Sequence, residues 1–480
     1  MNDGDADEAL PRGWTLTNLG QLLSDIQPGF ASGKHSSDGV GLPHLRPMNV
    51  SRDGRIDRSD LRSVAPELAD RPARKLRRGD VLFNNTNSLE LVGKTALFDD
   101  DDEPAFSNHM TRLRVHEGIA EPAFIAQLLH GRWRSGDFQR LANNHVSQAS
   151  IGRGVLRDLP VALPPRDEQR RIAARLDEIE ALRAATGARL ATARRVVDRF
   201  RSAVLAAACA GRLTEGWRET HPDAMSVEHA LSNVTRKARR KPALPTDDLA
   251  LPTPPVTYLV STVGAVSERI EYGTSRRASP EGDVPVLRMT NIQDGRLDLA
   301  DLKYLDHGSE TAALLLEDGD LLFNRTNSPE LVGKSAVVHA PEPMTFASYL
   351  IRVRVAPDVA DPDFVNYWLN SAWGRMWAHH VKTDGVSQSN INGTKLAAMP
   401  LPLPPLEEQR EIVRLADAML ATADRLTTQL AHAESTLETI GRGSRAKAFR
   451  GELVLTEAAR AEAEGRDFEA AAKLAAGAGS

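Results

Sequence analysis

Residues 163–172 read LPPRDEQRRI and residues 403–412 read LPPLEEQREI. Two prolines followed within two residues by acids mark a helix start. Proline is tolerated in the first helical turn, and a carboxylate there faces the positive end of the helix dipole. From each junction an apolar stripe runs on in steps of three and four residues. The second stripe is Ile412, Ala416, Met419, Ala423, Leu426, Leu430, Ala433, Leu437 and Ile440. The first is Ile172, Leu176, Ile179, Leu190, Ala193, Val197, Phe200 and Val204, broken at Arg183 and Thr186, where Leu182 is expected to cover the gap. Alternating steps of four and three repeat every seven residues, the pattern of a coiled-coil seam. Gly211 and Gly451 are the expected stops. Each helix is then about 45 residues, roughly 65–70 Å long.

The two junctions lie 240 positions apart, and so does much else. FSNHMTRLRV (106–115) matches FASYLIRVRV (346–355), HVSQASI (145–151) matches GVSQSNI (385–391), and ACAGRL (208–213) matches AFRGEL (448–453). Upstream the offset drifts to 242, as LRPMN (45–49) against LRMTN (287–291) shows, which small loop insertions explain. The chain is an internal duplication whose repeat is far too long for a solenoid unit. Short apolar runs such as VPVLRMTNI and YLIRVRV read as strands. FIAQLLHGRWRSGDFQRL and FVNYWLNSAWGRMWAHHV read as one amphipathic helix each, so the repeated domain is α/β (α+β). The expected organisation is a first domain over 9–165, a helix over 166–215 and a linker over 216–255, basic and then Pro-rich. A second domain follows over 256–405, a helix over 406–453, and an Ala/Glu-rich tail over 454–480. The first helix leads from the first domain toward the second, so the second helix must run back if the seams are to meet. The expected architecture is a pseudo-two-fold dumbbell, two globular domains separated by an antiparallel pair of long coiled-coil-like helices. The alternative is two surface helices, each packed on its own domain.

Bulk properties exclude several classes. No apolar run approaches the roughly 20 residues of a membrane span, and the acidic start MNDGDADEAL is no signal peptide. One cysteine, Cys209, rules out an intramolecular disulfide and a cysteine-based zinc site, and fits a reducing cytoplasm. It lies in AVLAAACAGRL and reads as a packed thiol. The formal charge of −5 is concentrated in the two termini. The body between them is close to neutral, which permits DNA binding without proposing it.

FNNTNSLELVGKT (83–95) and FNRTNSPELVGKS (323–335) end like a phosphate-binding loop. That loop needs a glycine five positions before the Gly-Lys and must open a helix. Here Ser88 and Ser328 stand in the glycine's place, and TALF or SAVV follows as a strand. The phrase therefore reads as strand, polar loop, strand. None of the Pro-Pro pairs has the amide or acid before it that an adenine methyltransferase loop needs. The 13 histidines show no metal-ligand spacing. No catalytic or metal site is expected in this chain.

A variable α/β domain, then LPP-x-x-EQ-R-x-I, then a long helix ending near GRLTEGW, all of it repeated, resembles the specificity (S) subunit of Type I restriction-modification systems. FNRTNS-x-ELVGK resembles a phrase found in that family's target recognition domains. The resemblance spans about Arg12 to Leu455. The acidic start and the tail depart from it and are expected to be disordered. It implies two target recognition domains, each reading one half of an asymmetric bipartite site in double-stranded DNA. The helices act as spacers that set the gap and dock two methyltransferase (modification) subunits, and restriction (translocase/nuclease) subunits join them. No cofactor is bound by this chain: S-adenosylmethionine and ATP belong to the partner subunits. There is no membrane partner, and the location is cytoplasmic.

DNA is read by arginine on guanine and by asparagine or glutamine on adenine. The candidates in the first domain are Arg46, Asn49, Arg74, Lys75, Asn84, Asn85, Thr86, Asn87 and Lys94. Those in the second are Arg276, Arg277, Arg288, Asn291, Asn324, Arg325, Thr326, Asn327 and Lys334. Residues identical in both halves cannot distinguish two half-sites and suit phosphate contact or loop building better. Base readers are expected where the repeats diverge, in 33–44 against 273–285, 71–78 against 307–317, and 131–144 against 371–384. Gln148 and Gln388 read as loop anchors. Glu168, Gln169, Glu408 and Gln409 read as helix-capping residues. The runner-up function is a coiled-coil scaffold that binds proteins and has no DNA specificity.

Overall fold

The computed structural model of the protein describes residues 10–33, 35, 40–69, 74–144, 148–222, 252–339, 342–385 and 388–476. These form two compact units. The first draws on the described residues of Met1–Ala191 and Ala431–Ser480, the second on those of Thr192–Leu430. Both long helices, Arg166–Cys209 and Leu406–Arg450, are continuous, and each contributes one end to each unit. The linker bases at 236–241 and the acidic residues 1–9 lie outside the described residues.

The first unit is built on an antiparallel sheet in the order Leu23–Pro28, Met110–Val115, Asp80–Asn84, Thr95–Phe98. Side chains alternate along its central strand. Val81 and Phe83 enter the main core with Phe124, Leu129 and Ile172, while Leu82 enters a smaller core with Leu45, Phe98 and Phe106. A second sheet, Arg62–Val64, Leu42–Leu45, Ala105–Phe106, covers that smaller core and contains one parallel pairing. Thr15–Asn18 pairs with Pro160–Leu163, which leads straight into the LPP junction. The second unit repeats the plan with Ser267–Tyr272, Leu350–Val355, Leu321–Asn324 and Ser335–Val337. In both sheets an arginine sits inside. Arg112 is bound by Asp25 and by the Lys75 carbonyl at 2.7 Å. Arg352 is bound by Glu271 and by the Leu315 carbonyl at 2.6 Å.

The PP-x-x-EQ junction does something other than cap its helix. The Gln169 N–H donates to the Pro165 carbonyl at 3.0 Å, so Pro165 is the N-cap. Proline has no N–H for a glutamate at the third position to accept, and no capping box can form. Glu168 instead accepts from Trp14 Nε1 at 3.0 Å and from the Glu457 N–H at 2.8 Å. Glu408 accepts from Thr214 Oγ1 at 2.7 Å, Tyr258 OH at 2.9 Å and Arg218 Nη1 at 2.6 Å. Each glutamate thus ties the start of one long helix to the segment just past the end of the other. The glutamines brace the turn before them. Gln169 accepts from the Glu121 N–H and donates to Ile119 and Pro164 carbonyls, and Gln409 repeats this with Asp361, Val359 and Pro404.

Within each unit the helix ends run antiparallel. In the first, Glu180 meets Arg445 and Arg183 meets Glu438; in the second, Arg201 meets Asp424 while Thr214 meets Glu408. The pairing is coiled-coil-like, but its seam departs from the expected heptad. Leu420, Ala423, Gly441 and Ala448 are buried, whereas Met419, Leu426 and Ile440 are 37%, 42% and 50% exposed. The buried positions advance by 3.6 residues, the period of a straight helix, and a strict 3.5 repeat drifts off that face. At the break in the first stripe Leu182 points to solvent, and Arg183 fills the seam by lying over Gly441 and pairing with Glu180 and Glu438. Both helices stop as expected. Gly211 and Gly451 take φ of +71° and +77°, and the next N–H reaches back to Ala207 or Lys447.

The tail is ordered over its described part, contrary to expectation. Helices Glu457–Glu464 and Ala471–Ala476 pack on the first unit. Glu457 is buried between Arg171 and Arg466 at 2.7 and 2.6 Å, and the Ala471 N–H bonds the Gly13 carbonyl.

Candidate nucleic-acid interface

The Asn-rich phrase forms a polar corner at one end of each central sheet. After Asn84 the chain turns through Asn85, pairs Thr86–Asn87 with Ala149–Ser150, turns tightly over 88–94, and re-enters the sheet at Thr95. Gly93 has φ of +92°, and a Cβ there would meet Phe138 at 2.5 Å, so the Gly of the Gly-Lys ending serves a close-packed turn. The turn's N–H groups bond to Ser88, Asn84 and Leu91 carbonyls, and a strand follows. The phosphate-loop reading is excluded by this geometry as well as by the sequence.

The shared candidates are mostly occupied. Asn84 and Asn324 are fully buried, and Asn84 bonds the Pro47 carbonyl. Asn87 and Asn327 each accept from the following serine N–H at 2.8 Å. Thr86 and Thr326 lie in the small strand, and Thr326 accepts from Asn390. Arg46 and Asn49 build a turn: Asn49 accepts the Arg46 N–H and donates to Asp57 and Asp60 carbonyls, and Arg288 with Asn291 does the same over Asp298 and Asp301. Lys94 is buried against the Val50 carbonyl, and burial holds its ammonium below the usual lysine range; Arg52 adds to this. Lys334, its counterpart, is half-exposed beside Gln293 at 3.3 Å.

The candidates that differ between halves are less committed. Arg74 lies over the Phe30 ring, and Lys75 reaches Glu103 at 4.0 Å. Arg276 and Arg277 are exposed, the first near Thr311 at 3.4 Å. Asn85 donates to Thr111 at 2.8 Å, whereas Arg325 lies 4.8 Å over the Tyr272 ring. Gln148 and Gln388 are exposed, and neither side chain anchors a loop among the described residues.

The divergent stretches split in their use. Part of 33–44 and residues 71–73 lie outside the described residues, as do 145–147 and 386–387 of the VSQ segments. His44 is buried beside His35, and burial with that neighbour pushes it down to about 4. The 131–144 stretch is largely structural: Trp133 and Phe138 are core, and Arg134 pairs with Glu438. It offers few readers. Cys209 is fully buried, and burial pushes its thiol up to about 12, as a packed cysteine requires.

The helix expected after the sheet is two in each unit, Pro122–Arg134 with Asp137–Leu141 and Pro362–Asn370 with Ala372–Val381. In each unit a cleft lies where the DGR segment meets the first of them and a long helix. The first cleft, about 420 Å³, is lined by Asp53, Arg55, Asp99, Asp100, His130 and Asp177. The second, about 330 Å³, is lined by Arg201, Arg296, Lys334 and Arg375, with Asp198 and Asp294 among them. The charges lining the equivalent clefts are mixed in both, with acids in excess in the first and bases in excess in the second. Among the described residues no His/Cys/Asp/Glu group is placed to hold a metal ion, and no helix is long and apolar enough to cross a membrane.

Residues 271–434 match the model of the Type I restriction modification DNA specificity domain. Over 461 residues the chain is 28% identical to the Type I restriction enzyme EcoKI specificity subunit of Escherichia coli (strain K12), covering 92% of this chain and 90% of that one. It is 26% identical over 459 residues to the StySPI specificity subunit of Salmonella potsdam, with the same coverage. A chain solved in work on complex assembly and conformational transition of the type I R-M system shares the fold, with a TM-score of 0.60 at 20% identity over 93% of this chain and 100% of that one. With the duplicated junction and two like units already in view, the chain is similar to Type I restriction-modification specificity (S) subunits over most of its length.

Proposed function

We propose that this chain is the non-catalytic DNA sequence-specificity subunit of a Type I restriction-modification complex. The observation that carries the reading is the duplication itself: two complete units with one scaffold and different surface residues, sharing two continuous helices. Two readers on one support turn two weak half-site affinities into one strong bivalent affinity when the spacing fits. The domains over 9–165 and 256–405 each read half of an asymmetric bipartite site. The helices set the gap and dock two methyltransferase subunits, which carry S-adenosylmethionine, and ATP-driven restriction subunits join the same core. Lengthening both helices by four residues adds about 6 Å. The unspecific gap should then grow by one or two base pairs with the half-sites unchanged, as read by sequencing methylated adenines in cells holding the variant. Altered half-sites with an unaltered gap would count against the reading. A protein scaffold without DNA specificity would lack the steep salt dependence that phosphate contacts impose.

A further inference from the structure

The two units differ at one corner of the central sheet. It lies where the central strand ends at Asn84 or Asn324 and the adjoining strand begins at Met110 or Leu350. The backbone is the same in both: the Asn85 N–H bonds the His109 carbonyl at 3.1 Å, and the Arg325 N–H bonds the Tyr349 carbonyl at 3.0 Å. In the first unit the corner is turned inward. Asn85 spends its amide on Thr111 and on the Asn108 carbonyl, and Pro28 occupies the neighbouring strand end. In the second unit Tyr272 stands where Pro28 does, pairing with Ile351 as Pro28 pairs with Thr111. Tyr272 and Tyr349 are 44% and 47% exposed, and the Arg325 guanidinium rests 4.8 Å over the Tyr272 ring. Tyr272 is itself held, since its hydroxyl accepts from the Gly393 N–H at 2.8 Å. The terminal nitrogens of Arg325 have only long contacts, to Ser348 O at 3.3 Å and Asn390 Oδ1 at 3.4 Å.

A guanidinium stacked on an anchored ring is pre-organised and loses little freedom on meeting a planar acceptor pair. The pair that fits is the O6 and N7 edge of guanine in the major groove. We infer that Arg325, positioned by Tyr272 and flanked by Tyr349, is a specificity-determining residue that reads a guanine in the half-site of the second unit, with no counterpart reader at Asn85. The inference rests on the DNA-specificity reading above and adds a residue and a base to it.

The test is selection from a library of randomised bipartite duplexes by the full chain in complex with its methyltransferase subunit. Wild type is compared with Arg325→Asn, which installs the residue the first unit holds there, and with Arg325→Lys, which keeps the charge and removes the fork. Both variants should lose about tenfold or more of the preference for guanine at one position of one half-site. The other half-site and the gap should be unchanged, and for Arg325→Lys so should the salt slope. An unchanged selected sequence in either variant overturns the inference. So does uniform weakening on all sequences with a shallower salt slope in Arg325→Asn, which would make Arg325 a phosphate contact. A wild-type complex that selects no sequence at all defeats the functional reading instead.

Discussion

Glu168 and Glu408 hold equivalent places, both fully buried at the third position of a long helix, yet they are held by different chemistry. Glu408 is charge-paired: Arg218 reaches it at 2.6 Å, beside the hydroxyls of Thr214 and Tyr258. Glu168 has only neutral donors in contact, the Trp14 indole and the Glu457 N–H. Burial, with Glu457 nearby, raises its carboxyl above the usual range, although the two hydrogen bonds and Arg171 oppose this. The partners come from different parts of the chain. The second unit closes its lock with residues flanking the linker, and the first closes the same lock with residues near the two chain ends. One geometric demand, a donor set for a buried carboxylate, has been met twice by unrelated side chains.

The comparison can be broken most forcefully at the locks. Glu408→Gln strands Arg218 in a largely buried place and should cost about 3–5 kcal/mol. Glu168→Gln strands no cation and should cost about 1 kcal/mol. Urea unfolding of the full chain measures both, and equal losses would remove the distinction. Next in size, Arg445→Ala deletes a buried guanidinium paired with Glu180 at 2.5 Å. It should cost about 2–3 kcal/mol, part of the loss being offset because Arg183 also holds Glu180. In the second unit the cross-helix pair is a different one, and Arg201→Ala removes a more exposed partner of Asp424 and should cost about 1 kcal/mol or less.

The pH dependence is smaller and has a definite sign. A carboxyl whose folded value is raised keeps its proton longer in the folded state, so its contribution to stability is fully present below the unfolded value and falls as pH rises through the folded one. Glu168→Gln should flatten that fall when urea midpoints are compared from about pH 4 to 7. The smallest expected effect separates the two lysines of the repeated phrase. Lys334→Met should shallow the salt slope of DNA binding by about one unit if the half-exposed ammonium meets a phosphate. Lys94→Met should leave the slope unchanged, because that ammonium is buried against Val50.

Much of the fold was legible before any coordinates. Matching phrases at a fixed offset can arise only from a repeated unit, and Pro-Pro with acids within two residues and then an apolar stripe can begin little other than a helix. The misreadings have physical causes. Met419, Leu426 and Ile440 looked like seam residues because a 3.5 and a 3.6 repeat agree over two turns and part over ten. Arg183 looked like a break because a lone charge in an apolar stripe reads as a defect until its partners, Glu180 and Glu438, are brought beside it. Lys94 looked available because nothing local distinguishes it from Lys334. The tail looked disordered because an Ala/Glu-rich composition does not reveal that Glu457 closes a lock at Glu168.

The sequence alone determined that there are two like units, where each long helix starts and stops, that Gly-Lys-Thr is no phosphate loop, and which family the chain resembles. These follow from local rules: proline geometry, glycine at positive φ, apolar period and self-similarity. Only the tertiary structure decided which polar residues are spent inside the fold and which face outward. Asn84, Asn49, Arg46 and Lys94 were taken up by backbone carbonyls that the fold brings to them, while Arg325 was left half-buried against the exposed Tyr272 ring. The reason is that a side chain's hydrogen-bond partner is set by which backbone arrives next to it, and that is a property of the whole packed chain.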